Sequence, residues 1–64
     1  MILGSAVEAL ATSKEVAEYL GVHPQTMDRW ASTGRGPIYS KVEGSRRYDW
    51  TDVRAWVEAQ KVRH

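Results

Sequence analysis

The chain has 64 residues, a formal net charge of +1 and no cysteine. A chain this short makes one domain and buries only about 60 % of the surface its unfolded form exposes, which leaves little core for a catalytic cleft. Without cysteine it has neither a disulfide framework nor a cysteine–zinc site to staple it, so packing must hold it together.

Residues 1–10 read as an N-terminal extension. Ser5 with Glu8 has the spacing of a capping box for a short helix through Leu10, while Gly4-Ser5 reads equally as a cloning remnant. The apolar run Met1 to Leu3 is far below the roughly 20 residues a membrane span needs, and nothing resembles a signal peptide. The expectation is a soluble cytoplasmic protein with a folded unit over 11–61 and a short tail over 62–64.

Thr12-Ser13-Lys14-Glu15 is a stronger start signal, since the Thr12 hydroxyl can accept from the backbone at Glu15 while Glu15 reaches back to Thr12. A helix over 13–20 follows, with Val16, Ala17 and Leu20 on one apolar face and Gly21 supplying the left-handed residue that ends it. After the Gly21-Val22 link, His23 caps a second helix over 24–32 whose first position suits Pro24, because its missing N–H would be unpaired there anyway. Met27, Trp30 and Ala31 face inward, leaving Gln25, Asp28, Arg29 and Ser32 outward.

Thr33-Gly34-Arg35-Gly36-Pro37 breaks that helix. Ile38 to Val42 and Arg46 to Asp49 then read as two strands around Glu43-Gly44-Ser45, a β-hairpin over 38–49. Asp49 caps a third helix over 50–61, with Asp52 near its positive end and Val53, Trp56 and Val57 as its buried stripe. The fold class is a small α+β winged helix-turn-helix.

The charges are unevenly placed. Residues 1–28 set Lys14 against Glu8, Glu15, Glu18 and Asp28, a balance of −3. Residues 29–47 set Arg29, Arg35, Lys41, Arg46 and Arg47 against Glu43, a balance of +4, and the remaining charges cancel. A basic middle between acidic and neutral ends attracts a polyanion locally, although a charge cluster of this length also occurs as a plain solvated loop.

Two helices joined by so short a link cross steeply, and the second projects from the body. A major groove about 12 Å wide admits one such helix, and the outward side chains near its start reach base edges. Here those are His23, Gln25, Thr26, Asp28 and Arg29. Gln can pair with adenine and Arg with guanine, while Asp can accept from a cytosine amine or hold Arg29 in place. Arg35, Lys41, Ser45, Arg46 and Arg47 make the wing, suited to phosphates or a minor groove. Taken singly, each of these also fits a solvated helix face or a charged edge strand that prevents sheet aggregation.

Trp30 and Trp56 lie on the apolar stripes of their helices and are read as core rather than base-stacking platforms. Trp50 lies off the stripe of its helix, free to pack on the hairpin or to meet a neighbouring protein. His23 and His64 have no third ligand to make a metal site, and no Ser or Thr has a base and an orienting acid at catalytic spacing. No cofactor, metal or catalytic residue is expected.

The stretches LATSKEVAEYLGVHPQTMDRW and GPIYSKVEGSRRYDWTDVRAWVEAQ resemble the excisionase and MerR-like winged-helix DNA-binding domain over about residues 10–60. The set rests on Glu15-Val16-Ala17, Leu20-Gly21-Val22, Thr26 with Arg29-Trp30, Arg46-Arg47-Tyr48, and Asp52-Val53 with Trp56. His23, Pro24 and acidic Asp28 depart from the family pattern and lower the positive charge of the second helix.

MerR-type regulators append a long dimerisation helix and an effector domain, so the resemblance is nearer to the phage excisionases, or recombination directionality factors. It implies a protein of the bacterial host's nucleoid that binds adjacent attachment-site repeats in double-stranded DNA beside further copies of itself, bends the DNA and directs an integrase toward excision. Two alternatives stand beside it: a small AlpA- or MerR-like transcription regulator, and a protein-interaction module using Trp50, the acidic first helix and the tail.

Overall fold

The computed structural model describes residues 10–62. In chain order they form strand β1 (Ala11–Thr12), helix α1 (Ser13–Leu20), helix α2 (Pro24–Ser32), strands β2 (Ser40–Val42) and β3 (Ser45–Tyr48), and helix α3 (Trp50–Ala59). The expected Ser5–Glu8 capping box lies outside the described residues.

Local chemistry sets each helix start. The Glu15 N–H donates to Thr12 Oγ1 at 3.1 Å and the Thr12 N–H donates to Glu15 Oε1 at 2.8 Å, so the capping box forms in full. At the other end of α1, Gly21 takes φ 74° and the Val22 N–H closes back to the Ala17 carbonyl at 2.9 Å. His23 Nδ1 accepts from the Gln25 N–H at 3.0 Å, directly before Pro24 opens α2. Asp49 Oδ1 accepts from the Thr51 N–H at 2.8 Å to start α3.

The hairpin is shorter than the 38–49 expected. Ile38 is 72 % exposed and outside any strand, because Pro37 has no N–H to offer a ladder and the turning Gly36 precedes it. Asp49 leaves β3 to cap α3. The turn itself is the pair Glu43-Gly44, with φ 51° and 82°, the two-residue geometry whose twist matches that of the flanking strands. Helix α3 ends at Ala59 rather than at 61: Gln60 and Lys61 are exposed, so no packing extends the helix through them.

The sheet has a strand that the sequence reading lacked. β1 pairs antiparallel with β3, Ala11 opposite Tyr48 and Thr12 opposite Arg47, giving the order β1-β3-β2. The hairpin is thereby tied to the start of α1. Ala11, Val16, Ala17, Met27, Tyr48 and Val53 form the buried core, one or two residues from each of β1, α1, α2, β3 and α3.

Two aromatic pairs brace α3 against the helix-turn-helix. Trp56 meets Trp30 of α2 with ring centroids 5.3 Å apart, and Trp50 meets Tyr19 of α1 edge-on at 5.2 Å. Trp50 therefore packs on the first helix and lies half-buried against the core, which includes Tyr48 of β3. Among the described residues no helix is long and apolar enough to cross a membrane.

Candidate nucleic-acid interface

At 3.6 residues per turn, Gln25, Asp28, Arg29 and Ser32 fall within an arc of about 100° on α2, opposite buried Met27. All four are exposed. Thr26 lies at the margin of the arc and is half-buried. His23 is committed through Nδ1 to the Gln25 N–H, so its free ring edge alone faces solvent chemistry.

The pleat separates the basic residues of the wing. Lys41 is paired with Arg46; Tyr48 lies two residues further along β3 and Tyr39 two residues before Lys41, just ahead of β2, so these four side chains share the face that carries the core. The Tyr39 and Tyr48 rings stand 5.7 Å apart, and the Arg46 guanidinium lies 5.9 Å from the Tyr39 ring centroid. Ser45 and Arg47 belong to the opposite face.

Arg46 is accordingly turned toward the body. Its Nε donates to Ser13 Oγ at 3.1 Å at the start of α1, and its Nη2 donates to Asp28 Oδ1 on α2, with the Arg46 side chain 19 % exposed. Asp28 thus pairs with the wing rather than with its neighbour Arg29. Arg47, on the central strand between Thr12 and Ser40, donates from Nη1 to the Arg46 carbonyl at 2.9 Å.

Between α2 and the wing runs an open groove of about 560 Å³. Asp28, Lys41, Ser45, Arg46 and Arg47 of the predicted set line it. Gln25, Thr26 and Arg29 lie on α2 outside its lining, and Arg35 sits in the loop before the hairpin, its N–H bonded to the Trp30 carbonyl at 2.7 Å. Ser13, Lys14, Ser32 and Tyr39 also line the groove, and the sequence reading gave none of them a site role. For Ser13 and Lys14 the missing signal was β1, since only its pairing with β3 brings the start of α1 beside the wing.

A capped helix pair presenting a polar arc beside a basic hairpin defines a winged helix-turn-helix DNA-binding protein. The chain belongs to the family described as helix-turn-helix domain, whose model matches residues 12–61, from the α1 cap past the end of α3. No curated protein and no solved structure matches it.

Proposed function

We propose that the chain is a phage excisionase that binds adjacent attachment-site repeats cooperatively, bends the DNA and directs an integrase toward excision. The observation that carries the DNA-binding part of this reading is one groove bordered by Asp28 and Ser32 of the α2 arc on one side and by the basic wing on the other. The major and minor grooves of a duplex are separated by one sugar–phosphate ridge. A helix in the first and a hairpin tip in the second must straddle that ridge, and the groove, with Lys14, Lys41 and Arg47 at its walls, is where the ridge runs.

In this arrangement Gln25, Thr26 and Arg29 read base edges. Lys41, Ser45 and Arg47 hold the backbone, with His23 and Arg35 at the flanks. A single module of this kind buries roughly 600–1,000 Å² on DNA, so one copy binds weakly and copies on neighbouring repeats strengthen one another. The excisionase part of the reading rests on the sequence resemblance to the excisionase and MerR-like winged-helix domain.

The test is a gel-shift titration on the attachment region of the genome that carries this gene, with unrelated DNA as competitor, repeated with Arg47→Ala and Arg29→Ala. A ladder of specific complexes that weakens in both variants supports the excisionase reading. A single complex on a promoter operator, with none on the attachment region, makes the chain a transcription regulator of the same fold. Absence of any specific complex on either DNA removes the reading.

A further inference from the structure

We infer that Arg46 and Asp28 form a positioning clamp that sets the spacing between wing and recognition helix, rather than a phosphate contact and a base reader. The inference rests on the DNA-binding reading of α2 and the wing and assigns these two residues a different role within it. One planar guanidinium joins three elements: Nε to Ser13 at the α1 start, Nη2 to Asp28 on α2, and the cation near the Tyr39 ring that precedes β2. A guanidinium suits this task because its donors diverge in a fixed plane, so satisfying Ser13 and Asp28 together fixes both the distance and the angle between β3 and α2.

Exposure and charge point the same way. The Arg46 side chain is 19 % exposed while that of Asp28 is 68 % exposed, so the acid reaches in from the surface to the arginine. A carboxylate on a DNA-facing arc repels phosphates, and this one spends its charge on Arg46, leaving the pair locally neutral. Lys41, Arg47 and Arg29 make no ion pair among the described residues.

The clamp makes a prediction opposite in sign to simple electrostatics. The probe is a duplex selected by the wild-type chain from a random-sequence pool, and affinity is read as a function of salt. Asp28→Ala removes a negative charge from the interface and is nevertheless expected to weaken binding about two- to fivefold, the scale of one partly exposed ion pair. Asp28→Asn keeps an acceptor for Nη2 and is expected to recover most of that loss. Arg46→Ala weakens binding with the slope of log affinity against log salt unchanged, whereas Lys41→Ala flattens the slope by about 0.9, the loss of one phosphate contact.

Thermal melting accompanies each variant, and binding is measured well below every melting point so that unfolding does not enter the comparison. Tighter binding by Asp28→Ala, or a slope flattened by about 0.9 in Arg46→Ala, overturns the clamp while leaving the DNA reading intact. A wild-type chain that selects no duplex and shows no salt-dependent binding overturns the DNA reading, and the clamp with it.

Discussion

Trp30 on α2 and Trp56 on α3 hold their ring centroids 5.3 Å apart at an interplanar angle of 47°, and this contact is how the third helix supports the one that presents the polar arc. Both rings are half-buried. Truncation removes one ring of the pair and opens a gap beside the other. Trp56→Ala should therefore cost about 2–4 kcal/mol, somewhat below the 3–5 typical of fully buried aromatics. In a domain this small that is a fall in melting temperature of about 10–25 °C, measurable by circular dichroism.

The backbone of Gly36 packs on the same tryptophan. A Cβ added there would stand 3.0 Å from Trp30 Cε3 and 3.2 Å from Trp30 Cβ, at a φ of 81° that L side chains rarely adopt. Gly34 has a similar φ of 72° but open space around it. Gly34→Ala should cost about 1–2 kcal/mol for the left-handed backbone alone. Gly36→Ala should cost more, because the ring must also shift. Equal losses in parallel denaturant melts would show that the ring yields freely.

Glu43 occupies the first central position of the hairpin turn with φ 51°, a conformation its side chain disfavours. Glu43→Gly or Glu43→Asn should stabilise the domain by about 0.5–1 kcal/mol, since both residues take positive φ more readily and asparagine before glycine is the preferred pair for this turn. The gain would appear as a higher denaturant midpoint with unchanged m-value.

His23 has two roles that a pair of substitutions separates. Its Nδ1 caps α2 by accepting from the Gln25 N–H at 3.0 Å, so His23→Ala should cost about 1 kcal/mol of stability. His23→Asn restores an acceptor at the cap and should return that stability. If the imidazole also meets DNA, the Asn variant will fold as well as the wild type and bind less tightly.

Salt dependence tests the interface as a whole. If Lys14, Lys41 and Arg47 each engage one phosphate along the groove, log affinity should fall against log salt with a slope of about −2.7. Isothermal titration or fluorescence anisotropy over a range of salt concentrations measures it, and a flat response would sink the DNA-backbone contacts proposed for Lys41 and Arg47.

The wing shows how far reading the chain alone could go. Arg46 and Arg47 are adjacent, and their shared charge invites one role for both. The period of two in a strand already divides them: Tyr48 is the aromatic that the core requires, so Arg46, two residues before it, shares its face and Arg47 does not. The alternation in residues 45–48 carries that division, whereas the shared charge of Arg46 and Arg47 does not. The partners of Arg46 were not available in the same way, since Ser13 and Asp28 lie 33 and 18 residues from it.

What the sequence determined by itself was local: the Thr12–Glu15 box, the His23 and Asp49 caps, the left-handed Gly21 and the inward faces of three helices, on which Val16, Ala17, Met27 and Val53 are buried while Leu20, Trp30, Ala31, Trp56 and Val57 are only half-buried. Each of these depends on residues within a turn or two of one another, so spacing carries the information. The tertiary structure alone decided the third strand, the seat of Trp50 on Tyr19 and the partner of Asp28. A two-residue strand carries no periodicity to read, and its partner is β3, where Ala11 lies opposite Tyr48 in the core. By tying the start of α1 to the wing, that pairing brings Ser13 within reach of Arg46 and so completes the groove on which the proposed function rests.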